Sequence, residues 1–186
     1  MDAMMRTRAI AFVVVVTFAI GGCIGTSPEQ QEADALGPDY GRYESGPYHR
    51  AGFPCLKCHG DLWWQRGPVM ELAGTIYQRS SGDAASRDAA IEITDASGHA
   101  FTASTNSAGN FFVVVAGKQP QQYSDGSVEI PWHLDFPLSV RLRGRTRDED
   151  QPMRSHIWKE RNCATCHSGN PGVDGNGRIF VEEPSQ

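Results

Sequence analysis

The apolar and polar positions of this 186-residue chain fall into blocks of unlike pattern. First comes an apolar run, "AIAFVVVVTFAI" from Ala9 to Ile20, behind the basic Arg6 and Arg8. From Ser27 to about Gly67 apolar positions thin out. "TSPEQQEADALGPDYG" has the Pro, Gly, Gln and Glu content of a flexible tether, largely disordered at its start. From about Val69 the pattern turns to short runs rich in β-branched and aromatic residues: "VMELAGTIYQ", "AAIEIT", "HAFTAST", "NFFVVV" and "FPLSVRLRG". Turn formers separate them, "DASG" from Asp95 to Gly98 and "NSAG" from Asn106 to Gly109. The predicted fold is mainly β over residues 69–147, flanked by irregular or short-helical segments at 48–68 and 148–186.

The apolar run is too short to span a bilayer comfortably. With its basic lead-in it reads as an export signal over residues 1–22. The small residues of "IGGCI" directly before Cys23 resemble the lipobox of bacterial lipoproteins, against the plainer reading of an ordinary cleavage site with an incidental cysteine. The resemblance implies lipid on Cys23, which anchors a chain through a tether (23–47) and does not span the membrane. Ile24 stands where inner-membrane retention signals usually carry Asp, so the implied address is the outer membrane, on its periplasmic or surface side. Cleavage leaves 15 basic and 21 acidic side chains. This mildly acidic balance, with no long basic patch interleaved with aromatics, argues against nucleic acid as a partner.

Within the β block, Gly74 before a strand, "AIEITDASG", and "TASTNSAGNFF" with Gly109 before Phe111 resemble the carboxypeptidase regulatory-like, transthyretin-like family. That resemblance covers roughly residues 69–147. It implies a small Ig-like/transthyretin-like β-sandwich, and says almost nothing about function.

The cysteines carry the chemistry. Beside Cys23, four remain, in "FPCLKCHGD" from Phe53 and "RNCATCHSG" from Arg161. Each stretch contains Cys-x-x-Cys-His, the attachment signature of c-type haem, in which two thiols form thioethers and the next histidine ligates the iron. Two residues between the cysteines let both sulfurs reach the macrocycle from one helical turn. A zinc site is the weaker reading, because Cys55 and Cys163 are separated by a whole β block and zinc ribbons are compact. A thioredoxin-type dithiol needs a βαβ context. Disulfides within Cys-x-x-Cys are labile and leave the repeated histidine unexplained.

The chain therefore resembles a dihaem c-type cytochrome. That resemblance implies two covalent haems: one on Cys55 and Cys58 with His59 on iron, the other on Cys163 and Cys166 with His167. For the sixth ligands, His49 and His156 stand at similar short distances before the two motifs. Against them stand Met153, Met70 and the reading of both histidines as merely solvated. His99 and His133 fall at turns and strand edges, where exposure is the simpler expectation. Phe53, Tyr48, Trp63, Trp64, Ile157 and Trp158 would supply apolar walls. Arg141, Arg143, Arg145 and Arg147 recur at period 2 and share one strand face. Such a stripe usually marks a solvated face that the acidic Asp148–Asp150 can neutralise; docking of haem propionates or an acidic partner is the alternative.

The implied function is electron transfer between redox partner proteins, with no hydrolytic constellation recognisable; an open sixth position on one iron would reopen catalysis. The rival is a structural subunit of a haem-wired surface assembly. The two flanks, each of about 40 residues, are too small to fold unaided. They are expected to pack together as one site, with His49 reaching the iron bound by His167 and His156 the iron bound by His59. That needs an even number of strands between the motifs, or a flank that folds back.

Overall fold

The computed structural model describes residues 28–37, 46–60, 68–80, 84–116, 125–143, 150–167 and 176–181. The export signal, Cys23, Trp63, Trp64, Arg145, Arg147, Asp148 and Glu149 lie outside these residues. Among the described residues no helix is long and apolar enough to cross a membrane.

The chain divides into two units, Met1–Gly37 and Pro38–Gln186. In the first, helix α1 spans Pro28–Ala35, so the tether is not irregular throughout. Proline's fixed φ suits a first helical turn, and Gln, Glu and Ala are good helix formers. Gly37, at φ 75°, closes the helix by donating its N–H to the Asp34 carbonyl.

The second unit is strand-rich, with two sheets and two very short helices. One sheet has the order β1 (Leu72–Thr75), β4 (Asn110–Val115), β5 (Ser127–Ile130). The other has the order β3 (Ala100–Ser104), β2 (Ala90–Thr94), β6 (Ser139–Leu142), β7 (Gln151–Pro152). All pairings are antiparallel except β4 with β5. Leu72, Phe111, Val113 and Ile130 from the first sheet meet Ile91, Ile93, Ala103 and Leu142 from the second in one apolar core.

β2 alternates as a strand with one covered face should: Ile91 and Ile93 are buried between half-buried Ala90, Glu92 and Thr94. β4 does not alternate. Every residue of "NFFVVV" is buried, because Phe111 and Val113 face the core while Phe112 and Val114 face a second cluster. That second cluster adds Met70 and Ala73, with Cys55 and Leu56 packed against it. The outer face of the first sheet is thus covered by the first Cys-x-x-Cys-His segment.

Both turn stretches behave as expected. Asp95–Gly98 closes the β2–β3 hairpin, and the Asn106 carbonyl accepts the Gly109 N–H, with Gly109 at φ 76°. A Cβ at Gly109 would also collide with the Ile76 carbonyl, so both space and φ demand glycine. The strand pattern missed β5, whose "SVEI" is short and polar, and placed the end of the β block at residue 147 although β7 pairs beyond it. Arg141 on β6 and Arg143 just after it are exposed and pair with Asp150, while Arg143 also pairs with Glu92. This is the solvated stripe neutralised by local acids, as far as its described members go.

Ile93 is fully buried between the sheets. Ile93→Ala should lower unfolding free energy in urea by about 2–5 kcal/mol. Arg143→Ala removes a pair with exposed Glu92 and another with Asp150, whose side chain is 6% exposed, so it should cost about 1–3 kcal/mol.

Candidate functional site

Each motif forms one helical turn. In α2 (Leu56–His59) the His59 N–H donates to the Cys55 carbonyl at 2.9 Å; in α3 (Cys163–Cys166) the His167 N–H donates to the Cys163 carbonyl at 2.8 Å. The repeat in sequence is therefore a repeat in structure. Two cysteines and a histidine leave the same turn in both places, and no disulfide joins the four cysteines.

Strand β1 brings the two turns together. Ala73 packs in the cluster that holds Cys55, and its N–H donates to the Arg161 carbonyl at 3.1 Å. Asn162 runs parallel to Ala73 as an extra bridge on that edge. On the other face, a Cβ at Gly74 would lie 2.9 Å from Cys163 Sγ and 2.8 Å from Phe111, so only glycine admits the second motif. Seven strands separate the motifs among the described residues, yet they meet. The chain after β7 folds back through a bridge between Ile157 and Leu138 to reach β1.

Three imidazoles are set alike. The ring Nδ1 of His59 bonds the Pro68 carbonyl at 3.1 Å, that of His167 the Gly177 carbonyl at 3.0 Å, and that of His49 the Gly46 carbonyl. A carbonyl can only accept, so Nδ1 carries the proton and Nε2 keeps its lone pair for a metal. His49 and His59 have ring centres 5.8 Å apart, edge to face.

The segment carrying His49 is pinned to the first sheet. Asn110 Nδ2 donates to the His49 carbonyl at 3.1 Å, Asn106 Nδ2 to the Pro47 carbonyl at 2.7 Å, and the Gly52 N–H to Thr75 Oγ1 at 2.8 Å. His49 therefore stands against the histidine of its own motif, and the exchanged pairing with His167 is not adopted. Met70 lies buried with Cys55 and Leu56, its N–H on the His59 carbonyl.

The second motif opens on a cavity of about 370 Å³ that runs into the core, with Ile76, Ile91, Phe111 and Leu142 in its walls. Cys163, Cys166, His167, His156 and Met153 share this cavity, so His156 too lies with its own motif. His156 is exposed and Met153 half-buried. Trp158, 72% exposed, stands at the rim, and Phe53 is exposed beside the first motif under the Arg50 guanidinium. His99 and His133 are held elsewhere, by Asp95 at 3.1 Å and by buried Glu71 at 2.7 Å.

The donor sets fit covalently attached haem. Each has two thiols and an oriented imidazole on one turn, with an apolar cavity at the second. Among the described residues no three His, Cys, Asp or Glu side chains converge as a bare metal ion would need. Arg178, Asn162 and Asn110 escape sequence reading, because an Arg after a Gly-rich stretch and Asn residues in turns carry no pattern. Compared with protein families, curated proteins and solved structures, the chain matches none.

Burial pushes the Cys55 thiol up to about 11 and the Cys163 thiol up to about 12, and Cys55 lies close enough for its charge to oppose ionisation at Cys163. In the unfolded chain both titrate near 9.0. The folded state thus holds more protons above pH 9, and its stability falls as pH rises. Haem-free protein should lose stability progressively from about pH 9 to 12, read by urea unfolding at stepped pH. Thioethers do not titrate, so haem-loaded protein should lose that slope.

Proposed function

We propose that the chain is an extracytoplasmic, lipid-anchored dihaem c-type cytochrome that passes electrons between redox partner proteins. The observation that carries this reading is the meeting of two identical Cys-x-x-Cys-His turns on opposite faces of β1, each with its imidazole Nδ1 on a carbonyl. The two facing sheets and the Gly74, Gly109 and hairpin motifs support an Ig-like, transthyretin-like β-sandwich as scaffold.

Cys55 and Cys58 would hold one haem, with His59 and His49 on its iron; Cys163 and Cys166 would hold the other, with His167 and either His156 or Met153. When bound, each haem supplies an iron that accepts and returns one electron. The protein's own part is to orient and to cover. The Pro68 and Gly177 carbonyls fix the imidazole tautomers and increase their basicity, which favours the ferric state. Asn110 and Thr75 hold the His49 segment to the sheet. Core side chains give the second site apolar walls, and Cys23 ties the molecule to a membrane.

In a host that attaches c-type haem, the mature chain should gain the mass of two haems under denaturing conditions, and Cys55→Ser with Cys58→Ser should remove one. Cys23→Ser should move the loaded protein from the membrane to the soluble fraction. Recovery of zinc-loaded, haem-free protein would sink the proposal.

His49→Ala should turn one of the two low-spin haems high-spin in the absorption spectrum. Asn110→Ala should produce a smaller fraction of the same species by loosening the segment. A spectrum unchanged in His49→Ala but altered in Met70→Ala would assign that iron to Met70.

A further inference from the structure

Of the two acidic residues buried among the described ones, Asp95 closes the β2–β3 hairpin by accepting from His99, while Glu71 has no part in attachment or ligation. The Glu71 side chain is 7% exposed. Burying a carboxylate is costly unless charged partners compensate it, and here each oxygen has one. Oε1 accepts from His133 Nδ1 at 2.7 Å, and Oε2 lies 3.6 Å from a guanidinium nitrogen of Arg161. Arg161 leads directly into α3. The carboxylate therefore ties the first sheet to the stretch that carries the second motif.

Backbone contacts place Glu71 between the two motifs. Its own N–H donates to the Val113 carbonyl at 2.8 Å, which fixes it beside β4. On one side the Met70 N–H donates to the His59 carbonyl at 2.8 Å, and on the other the Ala73 N–H donates to the Arg161 carbonyl at 3.1 Å. Among the described residues, the lead-in to the second motif runs beside β1 through that last bond and the isolated bridge of Ala73 with Asn162, and no strand ladder extends it. So short a pairing specifies register weakly, and a slip of one residue turns every side chain to the opposite face. Such a slip would take Cys163 off Gly74, where its Sγ lies 2.9 Å from the place a Cβ would occupy.

We infer that Glu71 is a positioning residue: through Arg161 it sets the register of the second motif on β1, and so places Cys163 and the turn that follows. The inference goes beyond the dihaem proposal, because it concerns where the thiols stand before anything is attached to them. The pair need add little net stability to do this. In a slipped register the carboxylate would lose Arg161, and a buried charge stripped of a partner is the costly state. His133 holds the other oxygen and so turns Oε2 toward Arg161.

The test follows alkylation by iodoacetamide in the full-length, haem-free chain, with each cysteine read by peptide mass. Glu71→Gln keeps the shape and removes the charge. It should speed labelling of Cys163 several-fold and leave Cys55, which packs on the outer cluster, at its wild-type rate. Arg161→Gln should do the same, the double variant should label no faster than either single one, and Arg161→Lys should restore most of the protection. An unchanged Cys163 rate, an equal rise at Cys55, or multiplied effects in the double variant would each overturn the assignment. If Glu71→Gln does not fold, Arg161→Gln and Arg161→Lys decide between them: equal Cys163 rates in the two would overturn it. In a host that attaches haem, Glu71→Gln should lose haem from the Cys163–Cys166 peptide and keep it on the Cys55–Cys58 peptide; equal loss, or none, overturns the positioning role. Wild-type protein that takes no haem would overturn the cytochrome proposal and leave the labelling result standing.

Discussion

Two small residues on one edge strand set the arrangement of both motifs. Side chains alternate along β1, so Ala73 faces the cluster holding Cys55 while Gly74 faces Cys163. An edge strand has unpaired backbone groups that must be covered. Here the Arg161 carbonyl and Asn162 close that edge in parallel. With a larger side chain at 74, Cys163 could not approach, and the edge would lose its cover as well. The approach of the second motif and the completion of the sheet thus depend on the same missing Cβ.

The two sites differ in how fully the polypeptide finishes them. At the first, His59 is buried and His49 is tied through its carbonyl to Asn110, which is itself buried and accepts the Thr75 hydroxyl. Buried polar groups bonded in such a network hold one geometry, because each alternative leaves a group unsatisfied. At the second, exposed His156 and half-buried Met153 border a cavity that reaches between the sheets. Its walls are core side chains, so filling it removes more apolar surface from water than covering a flat face would.

The strands that read clearly in the sequence are those with one covered face, such as "AIEIT", together with the turns at Asp95–Gly98 and Asn106–Gly109. "NFFVVV" is recognisable as a strand, but what covers its second face lies more than fifty residues earlier at Cys55 and Leu56, and no local pattern carries that. β5 and β7 are short and polar; pairing with a neighbour makes them strands, not their composition. At the sites, the motif residues are legible because their spacing is chemical. The choice of partner for His49 is not. Looping round one's own motif looks costly from chain length alone, and it is favoured here by Asn106, Asn110 and Thr75, which are tertiary neighbours.

Opposite faces of one strand also imply electrical coupling. Strand count alone would set the motifs at opposite poles, roughly 30 Å apart for a small domain, but the fold-back brings them to a separation on the order of 10 Å. The packing of Cys55 on the Ala73 cluster and of Cys163 on Gly74 is the direct sign of this closeness. At that range two unit charges interact by about 1–2 kcal/mol at an effective dielectric constant near 20. In the proposed dihaem protein, an electron on one iron would therefore disfavour the second reduction by a comparable amount. Two separated midpoints would arise even with identical ligands at both irons, so a split in potential cannot by itself distinguish His156 from Met153. Spectroscopy of the ligand field must make that distinction.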